Sequence, residues 1–361
     1  MRLVSTSACP PGSRLARSIY NEAGLVLVGE HVELTESILN RLRRHGIAFV
    51  YIHDERTDDI VVQDVISEET RRRAMQEIRN TFRQLMDNRR RTQVWNNVQV
   101  GKQFKDVVTM ILDELDTNAQ VMMMLSDLTI KDHYLFQHSL NVCLYAGIVG
   151  MAHGYTRDEL TTLTLGAILH DIGKTQVPDE ILLKPGRLTP EEFEIIKKHP
   201  TDGFTLLKDI PNIPLLSAHC ALQHHERMDG SGYPRGLRND EIHEYAQWIG
   251  IVDVYDAMTS DRVYREAILP HQAMETIARL AGQKFDPEKV ALFRNKIAIY
   301  PIGLPVRLST GESGVVVDLN GASSDRPVVR VLSDAEGRDL SAPYEVDLSK
   351  NLYISIVGVV R

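Results

Sequence analysis

From about residue 129 to residue 295 the sequence reads as helix after helix, and after Pro301 it changes to short β-branched runs. That switch in period constrains the fold more than any other feature, because a helical pattern does not settle as strands, nor the reverse. Within the helical stretch, Thr189-Pro190-Glu191-Glu192 is a helix start, with an N-cap, Pro at the first position and Glu at the third. Beyond it, Val306-Arg307-Leu308, Gly314-Val315-Val316-Val317, Val328-Val329-Arg330-Val331-Leu332 and Leu352-Tyr353-Ile354-Ser355-Ile356 are separated by Gly, Asn and Asp. They predict a small antiparallel β module beginning at Tyr300-Pro301-Ile302-Gly303. A chain of 361 residues can hold two or three compact units.

The N-terminal part, residues 1–65, alternates short apolar stretches with turn residues. Gly24-Leu25-Val26-Leu27-Val28-Gly29 and Ala48-Phe49-Val50-Tyr51-Ile52 predict strands. Leu34, Ile38, Leu39 and Leu42 have helical spacing closed by Gly46. Residues 66–124 are a helical connector, with a charged helix over 67–91 carrying the stripe Met75, Ile78, Phe82 and Leu85, and a second over 104–125. These two helices either pack on their own neighbours or form a dimerisation stalk. The fold expected is mainly α: a helical domain over 125–298, flanked by the N-terminal α/β module and a β module over 299–361.

A net charge of −8 disfavours polymeric nucleic acid or an anionic membrane as partner. A small anionic ligand stays compatible with it, since a local metal charge outweighs the global sign. Three widely spaced cysteines, Cys9, Cys143 and Cys220, suggest a reducing compartment rather than a disulfide framework. No apolar run is read as reaching the ~18 residues of a membrane helix, and the N-terminus lacks the apolar stretch of a signal peptide. The expected location is the cytoplasm.

Six of the 13 histidines stand out in the helical domain: His138, His170, His199, His224, His225 and, less informatively, His219. His170-Asp171 ends an apolar stretch, Leu163 to Leu169, and is followed by Ile172-Gly173-Lys174. Imidazole and carboxylate together suit first-row transition metals, and one carboxylate can bridge two ions. Lys174 shares a face with His170 and Asp171 if the helix continues, where its ammonium would hold a phosphate oxygen as a point charge. His224-His225 precedes Glu226-Arg227-Met228-Asp229-Gly230-Ser231-Gly232-Tyr233-Pro234, an irregular run that lets adjacent histidines face one point. His199 lies at a helix end set by Pro200. Asp253 and Asp256 interrupt the apolar stretch Trp248 to Met258, where a carboxylate is costly unless paired or metal-bound. For Asp256 a structural salt bridge is the competing reading. His219, His243 and His271 read as ordinary hydrogen-bonded or solvated histidines. Composition and spacing alone lead to a dinuclear metal hydrolase of phosphate esters.

His170-Asp171-Ile172-Gly173-Lys174, then His224-His225-Glu226 with Asp229-Gly230-Ser231-Gly232-Tyr233-Pro234, then Asp253-Val254-Tyr255-Asp256-Ala257 with Arg262-Val263-Tyr264-Arg265, resemble the HD-GYP family in order and content. That family is the HD-domain subgroup that degrades the bacterial second messenger cyclic di-GMP, and the likeness covers about half the chain. It implies an HD-type all-α bundle. The implied metal ligands are His138, His170, Asp171, His199, His224, His225 and Asp253, with Asp171 bridging two ions, iron or manganese. His138, His170 and Asp253 would complete one ion, and His199, His224 and His225 the other. By the same resemblance Lys174 contacts the scissile phosphate, and Arg262, Arg265 and Tyr233 lie on the substrate side. Some members hold a third metal with a Glu four residues before the first His. Here that residue is Tyr134, a poor ligand at neutral pH, so two ions are expected.

The reaction implied is attack of an activated water on one phosphodiester with departure of the 3′ oxygen, giving pGpG, and a second cut would give GMP. The competing readings are a phosphodiesterase for another cyclic dinucleotide such as cyclic GMP-AMP, a signalling scaffold that docks protein partners, and a nucleotide phosphohydrolase of the wider HD superfamily.

Overall fold

In the computed structural model, residues 1–20, 26–62, 64–89, 98–117, 134–184, 186–260, 267–320 and 323–360 are described. The chain opens with β1 (Arg2–Ser5), β2 (Ile19–Tyr20), β3 (Val26–Val28), α1 (Glu36–Arg44) and β4 (Phe49–Ile52). Here β1 pairs antiparallel with β4, and β2 with β3. Thr35 caps α1, its side chain accepting from the Ile38 N–H, and Leu39 and Leu42 are buried.

Two long helices follow, α2 (Glu68–Arg89) and α3 (Val98–Thr117). Their stripe residues Ile78, Phe82, Leu85, Phe104 and Ile111 are buried in the same core as the helices that come after. The helices that follow are α4 (Tyr134–His153), α5 (Arg157–Leu169), α6 (Asp179–Leu182), α7 (Pro190–Ile196), α8 (His199–Leu207), α9 (Leu215–Gln223), α10 (Glu244–Thr259), α11 (Pro270–Leu280) and α12 (Pro287–Lys296), and all but the short α6 and α7 contribute to that core. Leu140 and Leu144 of α4, Leu163 and Ile168 of α5, Trp248 and Ile251 of α10, and Phe293 of α12 are among its fully buried members. Leu135–His153 is long and apolar enough to cross a membrane by length and composition, which the reading of the sequence passed over. Packing accounts for its apolarity, since 72% of its apolar window is buried within the protein.

The remainder is a five-stranded antiparallel sheet, β5 (Pro305–Leu308), β6 (Ser313–Asp318), β7 (Val328–Ser333), β8 (Asp339–Asp347) and β9 (Ile356–Val359), in the order β8-β7-β6-β5-β9. The β character after Pro301 is as expected, with two differences. Residues 352–355 lie outside the strands, and pairing begins at Ile356. Strand β8 was not foreseen; it is an edge strand, exposed along most of its length and carrying Pro343, so it lacks the alternation of a half-buried strand. The sheet shares a core with the N-terminal module, in which Leu3 and Tyr51 pack with Val306, Val316, Val329 and Val331. Arg330 ties the two together, its guanidinium 2.6 Å from Asp59 and 2.8 Å from Glu345.

Candidate metal centre

The Thr156 capping box starts α5, and eight of its residues from Leu160 to Leu169 are buried, so the helix delivers its C-cap, His170, into the core. The helix does not run on through Lys174, the condition set for a shared helical face. It gives way at Asp171 to a 3₁₀ turn, Ile172–Gln176. The tighter turn still brings Lys174 back onto Asp171, with Nζ 2.6 Å from Oδ2. Gly173 permits this turn: a Cβ there would lie 1.9 Å from the His199 carbonyl oxygen and 2.5 Å from the Gly203 nitrogen. His199 also differs from expectation. Pro200 does not merely end a helix; it occupies the first turn of α8, and His199 opens that helix against the 3₁₀ turn.

Seven side chains from five elements and their ends converge. His138 comes from α4, His170 and Asp171 from the end of α5, His199 from α8, His224 and His225 from the end of α9, and Asp253 from α10. His138 Nε2 lies 3.0 Å from Asp253 Oδ1 and 3.6 Å from Asp171 Oδ2. His170 Nε2 lies 3.4 Å from Asp171 Oδ2 and 4.0 Å from Asp253 Oδ1. On the other side, His199 Nε2 is 3.3 Å from Asp171 Oδ1, and His224 Nε2 is 3.7 Å from the same oxygen. Two groups able to hold an ion result, His138–His170–Asp171 and Asp171–His199–His224–His225, each with ligand atoms within 4.8 Å of one another. Asp171 belongs to both. His170 Nε2 and Asp171 Oδ1 are sealed from solvent and make no hydrogen bond among the described residues. A nitrogen lone pair and a carboxylate oxygen left so in a buried site fit a bound cation of the class the His/Asp donor set prefers.

The outer nitrogens explain the aim of the rings. His170 Nδ1 lies 2.7 Å from the Ala167 carbonyl, His199 Nδ1 2.7 Å from that of Ile196, and His224 Nδ1 2.9 Å from that of Ala221. A carbonyl only accepts, so each Nδ1 carries the proton and each Nε2 presents its lone pair inward. For His138 the acceptor is Asp256, whose Oδ2 is 2.7 Å from Nδ1. Asn141 and Ser260 donate to the other oxygen of Asp256 at 2.8 and 3.2 Å. The salt-bridge reading of Asp256 therefore holds in part: it pairs with a ring that itself faces the cluster. Asp256→Ala is expected to cost roughly 10–100-fold in metal affinity, measured by metal titration, with the remaining ligands in place.

Electrostatics separate the two chemical types. Burial lowers the pKa of His199, of His224 to about 4, and of His225 well below its usual value, the last two helped by neighbouring imidazoles. Burial also opposes protonation of His138, but Asp253 and Asp256 outweigh it and its pKa is raised. Burial alone would raise Asp171, yet Lys174 and His170 hold it well below the carboxylate range. Asp253 is likewise depressed against burial, chiefly by His138. Most of the set is thus held as neutral imidazoles and ionised carboxylates, the forms that ligate metal.

The glycine-rich run after His225 folds back over the cluster. A Cβ at Gly232 would lie 2.5 Å from three backbone atoms of residues 225–227, so only glycine fits. That approach stacks Tyr233 on His225, with ring centroids 4.7 Å apart. The carboxylate of Glu226, buried and given no role by the sequence, accepts from the backbone N–H groups of Arg235 and Leu237 at 2.8 and 2.9 Å and fixes the far side of the loop. Its only sequence signal was its place directly after the histidine pair. Arg262 and Arg265 lie outside the described residues, as does the side chain of Tyr134. His219, His243 and His271 are not in the cluster; they pack on Phe204, cap α10 and stack on Tyr300 respectively.

Residues 121–289 match the family described as HD domain, and residues 305–361 the family described as KOW domain associated with HD domain. The helical domain over residues 121–289 belongs to the HD-domain family. The HD-GYP resemblance carried by the three motifs is borne out by relatives. The cyclic di-GMP phosphodiesterase of Pseudomonas aeruginosa is 36% identical over 247 residues, covering 68% of this chain and 59% of that protein. A cyclic di-GMP phosphodiesterase of Thermotoga maritima is 42% identical over 176 residues, 48% of this chain and 47% of that one. The chain thus spans about half to three fifths of these relatives' length. An HDG"Y"P protein of Bdellovibrio bacteriovorus shares the fold at TM-score 0.51 and 17% identity, covering 81% of this chain and 97% of that chain.

Proposed function

We propose that the chain is a metal-dependent cyclic di-GMP phosphodiesterase that opens the ring to pGpG at a binuclear centre. The observation that carries this reading is Asp171 lying in both ligand groups, which suits two ions sharing one carboxylate. Two divalent ions, iron or manganese, would be held by Asp171 together with His138, His170 and Asp253 on one side and His199, His224 and His225 on the other. Such a pair lowers the pKa of a shared water and polarises the phosphoryl oxygens.

The chain's own groups do the rest. The Nδ1 contacts keep four imidazoles aimed before substrate arrives, so no reorganisation accompanies the reaction. Lys174, 15% exposed at the rim, holds Asp171 and offers its remaining N–H donors to a phosphate oxygen. Tyr233, stacked on His225, walls the substrate side, and Lys197 lies 5.6 Å above the rings of both Tyr233 and Phe193. Arg262 and Arg265 are assigned to the dinucleotide by their motif. The three cysteines are unbridged and buried, which supports a reducing, cytoplasmic setting.

The test is anaerobic incubation of Mn- or Fe-loaded protein with cyclic di-GMP and with cyclic GMP-AMP side by side, resolving the products. Linear pGpG formed faster than the opened hybrid is expected. No linear product with either metal contradicts the proposal, and faster opening of cyclic GMP-AMP moves the assignment to the hybrid.

A further inference from the structure

The N-terminal module holds a second place where imidazoles and a carboxylate meet. His53 directly follows β4, and His31 lies in the turn after β3. Their rings stack with centroids 4.8 Å apart and 17° between planes. Glu30 Oε1 lies 3.7 Å from His31 Nε2. One ligand atom from each of the three residues falls within 4.8 Å of the others.

One observation beyond the grouping itself points to a ligand. His53 Nδ1 is 3.4 Å from Asp58 Oδ1, and Asp58 is fixed in turn by the Asp54 N–H at 3.2 Å. The other nitrogen, His53 Nε2, is sealed from solvent and has no hydrogen-bond partner among the described residues. A histidine that only decorates a surface turns its second nitrogen to water. A histidine oriented by a carboxylate on one nitrogen, with the other facing a neighbouring imidazole, has the arrangement of a metal ligand. The same construction recurs at His138 and Asp256. The backbone of His31 stands at φ +66. A non-glycine residue there carries strain that the fold must hold in place, and the His31 N–H does so by donating to the Leu15 carbonyl at 2.7 Å.

We propose that Glu30, His31 and His53 bind a divalent transition ion of the zinc class, with water completing a four-coordinate shell. Two imidazoles, one carboxylate and an open position are a common set for that ion. The stretch His53-Asp54-Glu55-Arg56-Thr57-Asp58-Asp59 has four acidic residues against one arginine, and Arg56 is itself committed to Asp54 and Asp339. Asp54 is paired with Arg2 as well and Asp59 with Arg330, so the carboxylate of this stretch set against His53 is Asp58. This stretch also carries the contacts to the C-terminal sheet, through Asp59 with Arg330 and Arg56 with Asp339. An ion bound at its first residue braces the junction of the two modules.

The experiment is equilibrium dialysis of chelator-treated full chain against Co2+, with the visible d–d absorption recorded, for the parent protein, His31→Ala and His53→Gln. One cobalt equivalent fewer is expected in each variant, with loss of part of the d–d intensity. Zn2+ is expected to raise the melting temperature of His170→Ala/Asp171→Ala protein and to leave that of the same protein carrying His31→Ala unmoved. His31 is 66% exposed, so equal melting of parent and His31→Ala without metal shows that the fold is intact; unequal melting passes the decision to the cobalt count of His53→Gln. Equal cobalt counts in parent and variants overturn the proposal.

Discussion

Asp171→Ala is expected to lower the proposed turnover of cyclic di-GMP by ~10³-fold or more, the largest effect of any single substitution in the central domain. The reason is position. Its two oxygens face separate groups, Oδ2 toward His138 and His170 and Oδ1 toward His199 and His224. Removing any one histidine leaves the other group whole, whereas removing Asp171 takes a ligand from both. Lys174, which now rests on Oδ2 at 2.6 Å, would lose its counter-charge and swing toward solvent. Steady-state rates with metal in excess, beside a thermal melt of the same preparation, check the prediction. A cooperatively folded variant that keeps a tenth of the parent rate would remove Asp171 from the centre of the mechanism.

Gly173→Ala is expected to damage the fold and the centre together. The added carbon would meet the His199 carbonyl carbon at 2.9 Å, its oxygen at 1.9 Å and the Gly203 nitrogen at 2.5 Å. All three atoms are backbone, so the clash is relieved only by moving the start of α8 away from the 3₁₀ turn. Overpacking of this kind costs typically 1–3 kcal/mol, and a contact so short puts the expected cost at ~3 kcal/mol or above. Because His199 is the residue pushed, its group should weaken while His138 and His170 keep their places. Urea unfolding with metal analysis of the same variant measures both. Gly358→Ala is the control, since a Cβ there meets nothing within 4 Å; equal stability of the two variants would refute the close-approach account.

The sequence made the architecture legible where periodicity was strong. The Thr189 capping box, the helix running to Leu169 and the first three β-branched runs after Pro301 fall where their patterns put them. The ligand cluster was legible because carboxylates and histidines inside apolar helices are costly without a partner. What stayed hidden depends on tertiary contacts. Asp256 could not be told from a structural ion pair until His138 was seen against it. Glu226 acts on backbone groups nine and eleven residues on, which no local pattern encodes. The 3₁₀ turn at Ile172–Gln176 is imposed by the approach of α8 to Gly173 rather than by propensity. The shared core of the N-terminal module and the C-terminal sheet joins residues some 250–340 positions apart, beyond any periodic signal.

Anomalous diffraction from crystals of the full chain grown with Mn2+ tests the central claim most directly. The expected map has two peaks in the central domain, roughly 3.5–4 Å apart, with Asp171 between them and no third peak beside Tyr134. One peak, three peaks, or a pair not bridged by Asp171 would contradict it.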